Sequence, residues 1–164
     1  MQYFQHRFDS VQDYLHHRPP YLMVEEIESI EGDRIETAKV VSENLEFLKG
    51  HFPGAPVFPG AMMQEFLTQS AGILIAANYN PMEDYRTSDP DFNRYALGVL
   101  VKVERARYRR FARPGDRMRA EVRLLESIGT LFEFSGRIRI EQNEIMSIRF
   151  TLANIESVDL NGSE

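Results

Sequence analysis

The chain has 164 residues, of which 43% are hydrophobic, and a formal net charge of −6. This length and composition are typical of one globular domain with a core of its own. The sequence has no cysteine, which excludes disulfides, thiolate nucleophiles and cysteine-ligated metals. Residues 1–8 contain no long apolar stretch, so we expect no cleaved secretion signal and a cytoplasmic location.

The first predicted elements are short. Within residues 1–17 we expect a short amphipathic helix around Val11 to Leu15. Apolar residues between 22 and 30, and again between 35 and 41, then predict a hairpin that turns at residues 31–33.

A loop rich in proline and glycine follows, over residues 50–60, and it contains His51. Proline fixes its own φ angle, so the backbone around this histidine has little freedom. Imidazole is the group most often used for general acid–base catalysis. His51 is therefore a candidate catalytic residue, and the alternative is a loop histidine with a structural role only.

The longest predicted element is a helix from Gly60 to Tyr79. Its apolar residues surround most of the helix circumference, which indicates burial on nearly all sides. Glu65 is the only charged residue in this segment, and no cation lies one turn away from it. A buried carboxylate is costly, so Glu65 is a candidate functional group, although a glutamate can also simply favour the positive end of a helix. Gln69 is expected either to orient Glu65 or to satisfy a buried backbone group.

After the helix, a loop without periodicity precedes a region in which apolar and polar residues alternate with period two. Residues 78–96 lack periodicity and are predicted to form a loop, either a mobile surface segment or a lid. Strands are predicted after it at residues 97–108, 117–128, 131–141 and 145–155, with a turn at Gln142–Asn143.

These elements predict the fold class and the domain boundaries. One long buried helix with a mostly antiparallel sheet indicates an α+β fold in which the sheet curves around the helix. We expect a single domain over residues 1–155 and a polar, disordered tail over residues 156–164.

The charge is unevenly distributed along the chain. Residues 94–123 have a balance of +7, whereas the rest has a balance of −13. Such a basic patch on an acidic protein indicates a local anionic partner rather than general nucleic-acid binding. A solvated outer face of a strand is the alternative for each arginine of the patch.

Three segments of the chain, in the same order, resemble the bacterial 3-hydroxyacyl-[acyl-carrier-protein] dehydratases. Residues 50–72 resemble the family signature, with Gly-His-Phe-Pro-Gly followed by Pro-Gly and then by Glu65, Gln69 and Gly72. Residues 17–25 resemble its His-Arg-x-Pro-Phe-Leu-Leu-Val-Asp segment. Residues 102–116 resemble its Arg-Phe-Arg-Arg strand and the Pro-Gly-Asp turn that follows.

The resemblance implies a hot-dog fold, in which a curved, mostly antiparallel sheet wraps a long central helix. It implies dehydration of a (3R)-3-hydroxyacyl-[acyl-carrier-protein] to the trans-2-enoyl thioester. His51 and Glu65 are implied as the catalytic pair, His51 as the base and uncharged Glu65 as the acid. In the family these two residues meet across a dimer interface.

The resemblance also implies the residues that bind substrate and partner. Gly60 would donate its backbone N–H to the thioester carbonyl, with Val57, Phe58 and Gln69 as further substrate-binding residues. The surface that docks the acidic acyl carrier protein would comprise Arg105, Arg107, Arg109, Arg110 and Arg113. We expect a homodimer with shared active sites, with a trimer of dimers as the larger alternative, and no metal, cofactor, nucleic acid or membrane partner.

Some positions depart from the family pattern, and two other functions stay open. Leu15-His16-His17-Arg18 lacks the usual proline, and His17 is expected to be structural. The 78–96 segment is longer than usual, which leaves the preferred acyl chain length open. A hot-dog thioesterase and a non-catalytic acyl-thioester-binding module are the competing functions.

Overall fold

A 19-residue helix, α2 (Gly60–Asn78), lies against the inner face of a single curved sheet. The computed structural model describes residues 1–89 and 92–160. Helix α2 is buried at Met63 and continuously from Phe66 to Ala77. The sequence prediction of a helix buried on nearly all sides is thus confirmed.

In the described part of the chain, six strands form one antiparallel sheet in the order β1-β2-β4-β5-β6-β3. The strands are β1 (Glu26–Glu31), β2 (Arg34–Val40), β3 (Tyr95–Tyr108), β4 (Arg117–Ile128), β5 (Leu131–Ile140) and β6 (Asn143–Glu156). Two short helices complete the fold, α1 (Glu46–Gly50) and α3 (Ser157–Leu160). The strands agree closely with the predicted segments, and the α+β prediction is confirmed.

Period-two alternation places one face of each inner strand against α2. In β4, for example, Met118, Ala120 and Val122 are buried, whereas Arg117 and Arg119 are exposed on the outer face. The outer face carries ion pairs between neighbouring strands, such as the 2.7 Å contact between Arg137 and Glu121. The central sheet therefore covers α2 on one side and is solvated on the other.

Two local predictions need correction, and one short helix was missed. The turn between β5 and β6 lies at residues 141–142, because Ile140 pairs directly with Asn143 and Glu141 has a φ of 53°. The N-terminal helix is a single 3-10 turn, Val11–Asp13, because the N–H groups of Asp13 and Tyr14 donate to carbonyls three residues earlier, those of Ser10 and Val11. Helix α1, directly before His51, was not predicted.

The long connection between α2 and β3 packs against the N-terminal segment. The Tyr85 hydroxyl donates to the Tyr14 carbonyl at 3.0 Å, and Arg18 donates to the Thr87 carbonyl at 3.1 Å. At the other end of the chain, α3 occupies part of the stretch predicted as a tail, and residues 161–164 lie outside the described residues. Across the described residues, no helix is long and apolar enough to cross a membrane.

The sheet and the helix approach each other closely at Gly98 and Gly72. Gly98 has a φ of +82°, and a Cβ added there would lie 3.0 Å from the Gly72 Cα. Both the backbone conformation and the space therefore require glycine at position 98. This contact sets how closely β3 can approach α2.

We predict that Gly98→Ala lowers the free energy of unfolding by about 3 kcal/mol, because a strained φ and overpacking each cost about 1–2 kcal/mol. The matched control is Gly32→Ala, where φ is +54° but a Cβ would meet nothing within 4 Å. The control should lose only about 1 kcal/mol, from backbone strain alone. Urea unfolding at equal protein concentration measures both losses, and equal losses would contradict the packing argument.

Candidate active site

His51 lies immediately after α1, at the start of the Pro-Gly loop. Its backbone N–H donates to the Leu48 carbonyl at 3.1 Å, and its carbonyl accepts from the Val57 N–H at 2.8 Å. Phe58 then donates its N–H to the Ala112 carbonyl at 2.8 Å, which ties the loop to the segment that follows β3. These bonds fix the backbone of His51 at the start of the loop and anchor the end of the loop at Phe58.

The side chain of His51 has a defined tautomer. Its Nδ1 lies 2.8 Å from the Val57 carbonyl oxygen, which can only accept a hydrogen bond. Nδ1 must therefore carry the proton in the neutral ring, and the lone pair is left on Nε2. The ring also stacks on Phe52 with 4.3 Å between centroids, which restricts its rotation.

His51 lines a cavity of about 640 Å³, here named the histidine cavity. The predicted site residues that it contains are His51, Val57, Phe58, Gly60, Arg109, Arg110 and Arg113. Tyr108 and Met63 contribute further walls. The structure thus brings the histidine, the helix start and three of the five patch arginines together.

The start of α2 opens into this cavity at Gly60. The first N–H groups of a helix have no partner within the helix and carry its positive end. A Cβ on Gly60 would lie 3.0 Å from two atoms of the Tyr108 ring, so the ring packs directly on the helix start. The absence of a side chain at Gly60 therefore allows the Tyr108 ring to approach the helix backbone closely.

Glu65 lies on another face of α2, with 19% of its side chain exposed. Its Oε1 accepts from Gln69 Nε2 at 2.8 Å, and its Oε2 lies 3.3 Å from Thr68 Oγ1. Both contacts come from neutral side chains one turn along the helix, in agreement with the expectation that no cation lies at these positions. The pKa of Tyr21 is raised, first by desolvation and then by the charge of Glu65 and a hydrogen bond to it.

Gln69 makes both of the contacts that were expected as alternatives, one to Glu65 and one to buried backbone groups. Besides its bond to Glu65, its Nε2 donates to the Tyr21 carbonyl at 2.9 Å. Its Oε1 accepts from the Met23 N–H at 2.7 Å. Gln69 therefore ties Glu65 to the segment that precedes β1.

Glu65 and Gln69 line a second cavity, also of about 640 Å³, here named the glutamate cavity. The two cavities have no lining residue in common. Helix geometry explains the separation, because five residues at 3.6 per turn rotate Glu65 by about 140° from Gly60. Within one chain, the structure does not bring His51 and Glu65 into one cavity.

The five arginines of the basic patch do not all lie at the histidine cavity. Arg105 lines a small pocket farther along β3, and Arg107 is exposed on the same strand. Arg109 contacts Glu144 at 2.9 Å, so part of its charge is already balanced. Arg110 and Arg113 are exposed at the histidine cavity.

Sequence reasoning missed two residues beside Glu65, His17 and Tyr21. Both line the glutamate cavity, and His17 Nε2 lies 3.7 Å from Glu65 Oε1. Their signal in the sequence was the 17–25 segment, whose prolines favoured a structural role for His17. Among the described residues, no group of three or more His, Cys, Asp or Glu could hold a metal ion.

Comparison with known sequences gives a consistent result. The FabA-like domain family matches residues 15–149. The 3-hydroxyacyl-[acyl-carrier-protein] dehydratase FabZ of Coxiella burnetii (strain RSA 331 / Henzerling II) is 34% identical over 145 residues, or 85% of this chain and 96% of that protein. The FabZ of Thiobacillus denitrificans is 31% identical over 138 residues, or 81% of this chain and 86% of that protein.

Solved structures match the whole fold. A structure titled "The Dehydratase Heterocomplex ApeI:P from Xenorhabdus doucetiae" has a TM-score of 0.74 at 18% identity, covering 96% of this chain and 100% of that one. The uncharacterised protein PH1136 from Pyrococcus horikoshii has a TM-score of 0.59 at 16% identity, covering 86% and 90%. At these identities the likeness concerns the fold alone, and it agrees with the hot-dog arrangement.

Proposed function

The chain belongs to the FabA-like family, with the 3-hydroxyacyl-[acyl-carrier-protein] dehydratases as its relatives, and we propose that His51 and Glu65 perform its reaction. The enzyme is a hydro-lyase that removes water from a 3-hydroxyacyl thioester on the carrier protein. The proposed substrate is the (3R) isomer and the product is the trans-2-enoyl thioester. We further propose that it works in the cytoplasm.

The 2.8 Å contact between His51 Nδ1 and the Val57 carbonyl oxygen is the observation on which this proposal chiefly depends. Because Nδ1–H donates to the Val57 carbonyl, Nε2 can accept the proton from the carbon next to the thioester carbonyl. As that C–H bond breaks, negative charge develops on the thioester oxygen. The Gly60 N–H at the positive end of α2 is suited to stabilise that charge.

Glu65 is proposed as the acid that assists the leaving hydroxide. Thr68 Oγ1 lies 3.0 Å from the Glu65 carbonyl and can give its single proton there. Its oxygen can then accept a proton from Glu65 Oε2, an arrangement that suits an uncharged acid. When the C–O bond breaks, this proton leaves with the hydroxide as water, and the carbon–carbon double bond forms. His51 then holds the abstracted proton and Glu65 is a carboxylate, and exchange with solvent restores both.

The two half-sites are proposed to come from two copies of the chain. Strand β3 contributes Tyr108 to the histidine cavity and residues 95–100 to the glutamate cavity, so its two ends border different half-sites. Its outer edge pairs with no other strand in the described residues, and Val101 in its middle is 53% exposed. Antiparallel pairing of two β3 edges about a two-fold axis would join each histidine cavity to the partner's glutamate cavity.

We predict that His51→Ala and Glu65→Gln each lower kcat/KM by about 10³-fold, because each removes a group that transfers a proton. The measurement is the formation of enoyl thioester from 3-hydroxyacyl thioesters of several chain lengths. His6→Gln and Glu46→Gln remove like groups away from the site and should retain activity. Release of free thiol without enoyl thioester would indicate a thioesterase, and binding without turnover would indicate a non-catalytic module.

The carrier protein is proposed to dock on the exposed arginines at the histidine cavity, which its acidic surface would complement. We predict that the double variant Arg110→Glu/Arg113→Glu raises KM for carrier-bound substrate about tenfold or more. KM for a small thioester mimic should stay unchanged, because the mimic lacks the carrier protein. The double variant Arg119→Glu/Arg123→Glu, at two exposed arginines of β4, is the control with the same change in net charge. An equal rise with both substrates would contradict this docking surface.

A further inference from the structure

His17 lines the glutamate cavity beside His16, and the reaction described above gives it no role. The Arg18 side chain fixes the backbone around it, donating to the Leu15 carbonyl at 2.7 Å and to the His17 carbonyl at 2.8 Å. The His17 ring stacks on Tyr21 with 5.8 Å between centroids and 21° between planes. The imidazole is therefore held in one orientation, with Nε2 directed at Glu65.

The surroundings of the ring favour one tautomer. His17 Nδ1 is buried and has no hydrogen-bond partner, whereas Nε2 lies 3.7 Å from Glu65 Oε1. A buried N–H without an acceptor is rarer than a buried lone pair without a donor. The proton of the neutral ring therefore belongs on Nε2, facing Glu65. The gap is slightly beyond hydrogen-bond range, and such contacts often shorten when substrate binds.

The same surroundings keep His17 uncharged. Its pKa is lowered, chiefly by desolvation, with the charge of Glu65 acting in the opposite direction and that of Arg18 adding to the lowering. The facing groups are Glu65 from α2 and Tyr21, Arg18 and His16 from its own segment. A neutral donor can contact an uncharged acid, whereas an imidazolium would hold Glu65 as a carboxylate and remove the acid.

We propose that His17 is a positioning residue, which acts with Gln69 to make Oε1 of Glu65 the accepting oxygen. Two donors then approach Oε1, Gln69 Nε2 at 2.8 Å and His17 Nε2 at 3.7 Å. The proton of the acid resides on Oε2, which is the oxygen next to Thr68. This inference rests on the proposed role of Glu65 as the acid.

Two substitutions test whether His17 acts as a hydrogen-bond donor or only fills space. His17→Leu keeps most of the volume but has no N–H, whereas His17→Gln presents an amide nitrogen near the position of Nε2 and cannot titrate. With a 3-hydroxyacyl N-acetylcysteamine thioester at pH 7.5, we expect His17→Leu to lose about tenfold or more in kcat for dehydration with KM within twofold. His17→Gln should remain within about threefold of the parent in kcat.

The pH profile supplies an independent readout. In the parent, His17 must be neutral to act as the donor to uncharged Glu65, and its pKa is lowered from 6.5 chiefly by desolvation. On the acid side, below pH 6.5, we expect the slope of log kcat for dehydration against pH to be steeper in the parent than in His17→Gln by about 1, because only the parent loses activity when His17 gains a proton. This comparison remains decisive even where His17→Leu fails to fold, which thermal unfolding reports.

His6→Gln, which removes an imidazole bonded to the Met82 carbonyl, is the matched control and should behave as the parent. The inference is overturned by a His17→Leu variant that keeps kcat within twofold, by equal losses in His17→Leu and His17→Gln, or by identical acid limbs in parent and His17→Gln. Retained turnover in Glu65→Gln would instead overturn the proposed function, so the two failures are distinguishable.

Discussion

The pitch of helix α2 is the constraint on which the rest of the site depends. Gly60 faces the Pro-Gly loop, and Glu65, rotated by about 140°, faces the segment that precedes β1. Since α2 is buried along most of its length, the helix cannot rotate to bring Glu65 into the cavity that Gly60 lines. One chain therefore presents two separate cavities, one with the proposed base and the helix start and the other with the proposed acid.

Local hydrogen bonds then prepare each half-site for its part of the chemistry. The Val57 carbonyl fixes the tautomer of His51. Gln69 connects Glu65 to the backbone of Tyr21 and Met23, so the acid is held by a separate segment of chain. Such preorganisation matters because proton transfer depends on groups that are already in place when the bond breaks. Strand β3 borders both cavities, and it is the element through which two copies are proposed to combine them.

Most of the strands and the buried helix could be predicted from the sequence, because hydrophobic periodicity is a local signal. Period-two alternation located the strands, and the wrap of apolar residues located the buried helix. The turn after Ile140 was placed one residue late, because a two-residue turn with positive φ at a glutamate has no glycine signal. The contact between His17 and Glu65 joins residues 48 positions apart, and no periodicity reports such a contact. The ion pair between Arg109 and Glu144 could not be predicted for the same reason.

The most direct test of the central claim is complementation between two inactive variants. His51→Ala and Glu65→Gln chains are denatured, mixed in equal amounts and refolded together, and dehydration of a 3-hydroxyacyl thioester is then measured. If each site takes its histidine from one chain and its glutamate from the other, half of the dimers carry one intact site, and roughly a quarter of the parent activity returns. A mixture that stays as inactive as the separate variants, although mixed dimers form, would contradict the shared site.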